Sequence, residues 1–196
     1  MNPTLRPATT ADRDLLYRIY ASTREDEIAL TDWTEDQVTA FLTQQFTAQD
    51  THYREHYPGA EFDLILLDGE PIGRLYVHRR PAEIRIMDIA LLPPHRNQGI
   101  GTHLLQSLQS EAASTAKSLT IHVEQFNPAF NLYTRLGFQP IADHGVYLLL
   151  EWHPTTPDEK VPLPLEGRGE GYSPRAGGGS SSPLGGERPG EGQMGG

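Results

Sequence analysis

Residues Arg96-Asn97-Gln98-Gly99-Ile100-Gly101 lie between an apolar strand pattern, Glu83 to Leu92, and an apolar helical pattern that begins after Thr102. A chain that turns from strand into helix over glycines can aim several backbone N–H groups at one point. The unpaired donors and positive dipole end of the helix's first turn then attract an anion, phosphate above all. Glycine permits the bend and keeps a Cβ away from an approaching ligand. Two other phosphate motifs do not fit. A nucleoside-triphosphate loop ends Gly-Lys-Ser/Thr, whereas this one continues Gly-Ile-Gly-Thr-His. A dinucleotide fingerprint needs a third glycine where Leu104 stands.

Other residues are candidates for proton transfer or metal binding. Asp88 interrupts the apolar run Ile84-Arg85-Ile86-Met87-Asp88-Ile89-Ala90-Leu91-Leu92. A carboxylate there is costly unless hydrogen-bonded or put to use, so Asp88 reads as a general base or as a structural acid bonded to a backbone N–H or an arginine. Glu124 and His122, on the following strand pattern, are alternative bases. His52-Tyr53-Arg54-Glu55-His56 has the H-x-x-E-H spacing that sets two imidazoles on one helix face, as in some zinc hydrolases. No third ligand accompanies it and Pro58 closes the segment, so a solvated helix end, or else recognition of an amine substrate, is expected and no metal. Trp33 is expected to pack as a core residue or cover the acceptor as a lid, and Arg79-Arg80 to form a solvated turn.

The elements that must position these residues are legible from caps and periodicity. Leu5 lies in a first strand. Thr9 and Asp12, then Thr34 and Gln37, have capping-box spacing and open two helices, the second carrying Val38, Phe41, Leu42 and Phe46 on one face. Phe62–Leu67 and Ile72–Val77 flank Asp68-Gly69, a strong hairpin signal, and Glu83–Leu92 makes a third antiparallel candidate. A helix on Leu104, Leu105 and Leu108, a strand over Leu119–Val123, a short helix over Ala129–Leu136 and a last strand over Val146–Trp152 complete the order βααβββαβαβ. Strands joined through a long helix run parallel, so the pattern predicts a mixed α/β sheet with helices on both faces.

Composition narrows the function classes. The chain has 196 residues, with 16 Lys+Arg against 26 Asp+Glu and a formal net charge of −10, the opposite of the basic face that nucleic acid requires. No nucleic-acid partner is expected, and an acidic surface suits a cationic one. There is no cysteine, which excludes disulfides and a cysteine nucleophile and fits a cytoplasmic setting. No apolar stretch is long enough to insert in a membrane. Residues 153–196 hold 12 of the 19 glycines and 7 of the 16 prolines, too little apolar matter to offset chain entropy, so the folded domain is expected over 1–152 with a disordered tail after it.

The loop pattern Arg96-x-x-Gly99-x-Gly101 after an apolar strand, followed by Asn127-Pro128-Ala129-Phe130-Asn131-Leu132-Tyr133-x-x-Leu136-Gly137-Phe138, resembles the GNAT family of N-acetyltransferases. Leu5-Arg6-Pro7-Ala8-Thr9 is similar to the family's first strand entering its first helix, so the resemblance covers about residues 4–152. It implies a mostly antiparallel sheet whose central parallel pair splays. It also implies acetyl-CoA as cosubstrate and a primary amine, on a small molecule or a protein, as acceptor, with a non-catalytic acyl-CoA-sensing module as the other use of the fold. By the resemblance, backbone amides of Leu91 and Leu92 hold the pantetheine arm, with Leu91 N–H facing the thioester oxygen. Arg96, Asn97, Gln98, Gly99, Ile100, Gly101 and Thr102 hold the pyrophosphate, Asn127 lines the other wall, and Tyr133 anchors or protonates the departing sulfur. A monomer or homodimer is expected.

Overall fold

A computed structural model describes residues 2–154, so the expected tail lies outside the described residues but for His153 and Pro154. Strand β1 (Thr4–Pro7) leads to the first expected cap, where the Thr9 N–H donates to Asp12 Oδ2 at 2.7 Å. A short 3-10 turn, Thr10–Asp12, then continues into α1 (Arg13–Ser22). A four-residue helix, α2 (Glu25–Ile28), precedes the second cap. Its sequence Glu-Asp-Glu-Ile has one apolar residue and hence no periodic signal, which is why spacing did not reveal it. In the second cap the Gln37 N–H donates to Thr34 Oγ1 and the Thr34 N–H to Gln37 Oε1, opening α3 (Glu35–His56).

Strands β2 (Glu61–Leu67) and β3 (Glu70–Arg79) meet at Asp68-Gly69, both at positive φ (51° and 86°), as a tight hairpin turn requires. Next come β4 (Glu83–Leu91), a 3-10 turn at Pro93–His95, α4 (Ile100–Ser114), β5 (Ser118–Glu124), α5 (Phe130–Arg135), β6 (Gln139–Asp143) and β7 (Tyr147–Trp152). The seven strands form one sheet in the order β1-β2-β3-β4-β5-β7-β6. All neighbours run antiparallel except β4 and β5, which are parallel. Strand β6 departs from the expected order. It sits at the sheet edge, is exposed at most positions and contains Pro140, so it lacks the alternation that marks a half-buried strand.

Helices cover both faces. Leu16, Ile19 and Tyr20 of α1 and Leu42 and Phe46 of α3 pack on Leu64, Tyr76 and Ala90. On the opposite face Leu104, Leu105 and Leu108 of α4 and Tyr133 of α5 pack on Leu75, Ile84, Ile86 and Ile121. Burial on two faces accounts for the apolar residues at successive positions of the central strands. Among the described residues, no helix is long and apolar enough to cross a membrane.

Candidate active site

The sheet opens where its two parallel strands part. Strand β4 pairs with β5 only from Glu83↔Ser118 to Ile86↔Ile121. Past that point β4 continues through Met87 to Leu91 on β3 alone, and β5 continues through His122 to Glu124 on β7 alone. The cause is local: β3 pairs Tyr76 with Asp88 and Val77 with Ile86, which leaves Met87 as an extra residue in β4. Such a bulge bends its strand and reverses which positions face each side. Accordingly Ile84 and Ile86 face the α4 side before it, Ile89 and Leu91 after it, while Ala90 and Leu92 face the α1–α3 side. The Tyr53 hydroxyl holds the bulge by donating to the Met87 carbonyl at 3.3 Å. Because the Leu92 N–H donates to the Ile72 carbonyl across β3, alternation turns the N–H of Leu91 away from β3 and toward the opening.

The glycine loop closes one end of this opening. Asn97 (φ 59°) and Gly99 (φ 81°) are left-handed, and Gly99 caps α4 without any side-chain bond to the helix's first turn. The first helical bond is His103 N–H to the Gly99 carbonyl, so the N–H groups of Ile100, Gly101 and Thr102 have no acceptor within the helix. They fit an anion. The Arg96 guanidinium is engaged within the protein: Nε donates to the Leu91 carbonyl at 2.8 Å, and Nη2 to the Ser22 carbonyl and hydroxyl at 2.9 and 3.0 Å. Gln98 ties the loop to the Pro94 carbonyl at 2.7 Å. These bonds lash the loop to the end of β4 and the end of α1.

Two further titratable groups lie on the two faces of the sheet. Tyr133 of α5 is buried and meets Phe138 edge-on at 5.7 Å. Burial, reinforced by the negative charge of Asp88, pushes its phenol well above the ordinary tyrosine value. The two lie on opposite faces of the sheet. Asp88 receives Nη2 of Arg74 at 2.7 Å and Nε at 3.3 Å. Arg74 also donates to Gln49 and spans the Tyr76 ring at 5.1 Å. Burial first, then the charge of Asp88, raises the Tyr53 phenol as well.

The far lip is built by β5. His122 and Glu124, two positions apart, share one face of the strand. His122 contacts Arg85 at 2.9 Å and the His144 ring at 5.8 Å. Glu124 accepts from the Tyr147 hydroxyl at 3.3 Å and lies 3.6 Å from Arg24 Nη1, which also bonds Glu27 at 2.8 Å. The Asn127 side-chain oxygen accepts the Ala129 N–H at 2.8 Å and so starts α5.

Arg74, Tyr53 and Arg24 were absent from the residues singled out by spacing. Arg74 had a readable signal, since a charge in the middle of Ile72–Val77 must find a partner. Tyr53 stood inside the H-x-x-E-H segment, whose imidazoles His52 and His56 stack on each other at 4.3 Å. Among the described residues, no group of three or more His, Cys, Asp or Glu side chains is placed to hold a metal. Trp33 packs edge-on against Phe41 at 5.0 Å and is 44% exposed. Arg79 pairs with Glu61 and Glu111, and Arg80 with Glu83, at the end of the sheet away from the loop.

A model of the acetyltransferase (GNAT) family matches residues 16–138. The histone acetyltransferase type B catalytic subunit of Aspergillus fumigatus is 29% identical over 82 residues, which is 41% of this chain and 14% of that protein. The chain thus spans about one seventh of that relative's length. A PaiA N-acetyltransferase of Thermoplasma acidophilum, solved in complex with coenzyme A, superposes with a TM-score of 0.60 at 15% identity, covering 79% of this chain and all of that one. An acetyltransferase of Thermus thermophilus gives 0.59 at 20% identity over 79% of this chain and 98% of the other. At these identities the structures share the fold.

Proposed function

The chain belongs to the acetyltransferase (GNAT) family, and from that premise we propose that it moves the acetyl group of acetyl-CoA directly to a primary amine. What supports the reading is the parting of β4 and β5 beside an anion-seeking loop, with the N–H of Leu91 turned toward the opening and a buried phenol, Tyr133, on α5.

In this reading Leu91 binds the pantetheine arm along the edge that β5 vacates, as a peptide binds a sheet edge, whereas the Leu92 amide expected to share that role is spent on the Ile72 carbonyl of β3. Asn97, Gln98, Gly99 and the first turn of α4 through Thr102 take the pyrophosphate, and Arg96 shapes the loop. Leu91 N–H meets the oxygen that turns negative when the amine attacks, a role that needs a fixed donor and no side chain. Tyr133 then donates its proton to the departing sulfur. The phenol is protonated at neutral pH, as an acid must be, and its burial and the charge of Asp88 keep it so. Asp88 takes the proton that the acceptor nitrogen loses, directly or through water, while Arg74 holds its charge in place. Glu124 meets the incoming ammonium at the lip. Protons balance: the entering ammonium first sheds one to solvent to become nucleophilic, a second passes from the nitrogen to Asp88 as the amide forms, one from Tyr133 makes the free thiol, and the proton on Asp88 returns to Tyr133 through solvent. The activity is assigned to residues 1–152 in the cytoplasm, with a small-molecule or protein amine as acceptor.

Initial rates of thiol release by the full chain, with acetyl-CoA and an amine panel, test the proposal. Intersecting double-reciprocal lines are expected for direct transfer. Coenzyme A binding with no turnover on any amine would replace transfer by acyl-CoA sensing.

A further inference from the structure

Past Ile86 strand β4 loses its neighbour on one side. From Met87 to Leu91 it is supported by β3 alone, and Met87 itself is paired with no residue of β3 or β5. A strand held along one edge, with a bulge at the base of the free span, can pivot there. Two side chains tether the span, one at each end. At the far end Arg96 Nε donates to the Leu91 carbonyl at 2.8 Å, and at the base the Tyr53 hydroxyl donates to the Met87 carbonyl at 3.3 Å. The first tether belongs to the glycine loop and the second to α3.

The ring of Tyr53 has little room to turn, since it stands edge-on to Tyr57 at 6.0 Å and to Tyr76 at 6.1 Å. One helical turn earlier on the same face of α3, Gln49 accepts from Arg74 Nη2 at 3.1 Å, and Arg74 holds Asp88. One face of α3 thus grips both β3 and the base of the bend. Leu91 lies four residues beyond Met87, about 13 Å at the usual rise of a strand, so a rotation of about 5° at the bulge swings its N–H by about 1 Å. Misplacement on that scale can slow a reaction about 100-fold. Tyr76 offers an internal contrast. Its hydroxyl is buried in the same cluster, yet among the described residues it has no hydrogen-bond partner.

Resting on the transferase reading above, we propose that Tyr53 is a positioning residue for acetyl transfer. Through the Met87 carbonyl it fixes the bend of β4, and so the place of the Leu91 N–H that receives the thioester oxygen. It touches neither substrate and exchanges no proton. Its hydroxyl matters to turnover rather than to cofactor binding, which rests on the amides of the loop.

The test compares Tyr53→Phe with Tyr76→Phe in the full chain, using acetyl-CoA with n-hexylamine, benzylamine and lysine. Each variant removes one oxygen and keeps its ring. Tyr53→Phe is expected to lower kcat about tenfold on the fastest amine, with KM for acetyl-CoA and the calorimetric affinity for coenzyme A within about twofold of wild type. Tyr76→Phe should leave kcat unchanged and stability equal or higher, because it deletes a buried donor that has no partner. Replacement of Tyr53 by 4-aminophenylalanine, which keeps a donor in place, should restore kcat to within about threefold of wild type. Amide exchange gives a readout without turnover. Residues 88–92 should exchange about tenfold faster in Tyr53→Phe, with β2 and β7 unchanged. Equal kcat in wild type and Tyr53→Phe, or the same loss in both Phe variants, overturns the proposal while leaving acetyl transfer standing. Should wild type bind coenzyme A yet acetylate no amine, the transferase reading fails. Exchange then decides the tether by itself, faster exchange in Tyr53→Phe upholding it and unchanged exchange refuting it.

Discussion

The two walls of the opening are made of different material. On the loop side the working groups are backbone: left-handed Asn97 and Gly99, the bare first turn of α4 and the inward N–H of Leu91. On the α1–α3 side they are side chains held by charge, with Asp88 on Arg74 and Glu124 on Arg24 and Tyr147. A backbone wall recognises what every donor of the same group shares, a phosphate and an amide. A wall of paired side chains is specific to one acceptor and can be rebuilt by single substitutions without moving the sheet. Under the proposed transfer, the difference separates the constant half of the reaction from the variable half.

The strongest way to break the backbone wall is Gly99→Asp. A Cβ at Gly99 meets nothing within 4 Å, so the variant is expected to fold, with some strain at φ 81° that aspartate tolerates better than most residues. Its carboxylate would face the pyrophosphate. Coenzyme A affinity should fall by about 1000-fold, roughly 4 kcal/mol, as read by calorimetric titration. Unchanged affinity in a folded variant would move the phosphate site elsewhere.

Arg74→Ala attacks the other wall. Arg74 is 2% exposed, and its removal leaves Asp88 without its cation; breaking a buried pair from one side typically costs about 3 kcal/mol or more. A urea titration should show that loss, and the double variant Arg74→Ala/Asp88→Ala should recover part of it. If the single and double variants are equally destabilised, packing of the Arg74 stem matters and the pair does not.

The two walls were also unequally legible in the sequence. The loop could be read because its chemistry is local: a strand, two glycines and a helix within one short segment force amides to converge whatever the rest of the chain does. The hairpin at Asp68-Gly69 and the caps at Thr9 and Thr34 were readable for the same reason. The acceptor wall was not, because its pairs join residues far apart in sequence, Arg24 with Glu124 and Tyr53 with Met87. The bulge at Met87 escaped as well. The run Ile84 to Leu92 carries apolar residues at both odd and even positions, with only Arg85 and Asp88 between them, so a change in which residues face each side leaves no mark on its pattern. Asp88 was singled out, but only the tertiary fold supplies the arginine beside it.

Tyr133→Phe probes the point where the walls meet. It removes one oxygen from a ring that stays packed on Phe138, so the fold and coenzyme A affinity should be nearly unchanged while kcat falls about 100-fold, the usual contribution of a positioned acid. The direction of its pKa gives a second readout. Burial and Asp88 both raise it, so the loss of activity that follows phenol ionisation should lie above the ordinary tyrosine value, and Asp88→Asn should move it down. A pH profile with its alkaline limb below that value, or one that Asp88→Asn does not shift, would remove Tyr133 from the proton path.

Gly101→Ala should have the smallest effect and separates the two glycines of the loop. Gly101 has no left-handed φ, and a Cβ there would meet Leu132 Cδ2 at 3.5 Å, an ordinary van der Waals contact. That direction is toward α5 and the core rather than toward the convergent N–H groups. The new methyl group therefore lies on the side of the helix that an anion does not approach. Alanine also favours a helix over glycine by up to about 1 kcal/mol. Thermal stability should hold or rise slightly, and coenzyme A affinity should change by less than about threefold. A large loss of affinity with intact stability would mean that the bound phosphate sits over the second glycine rather than the first, and the anion site would move about half a turn along α4.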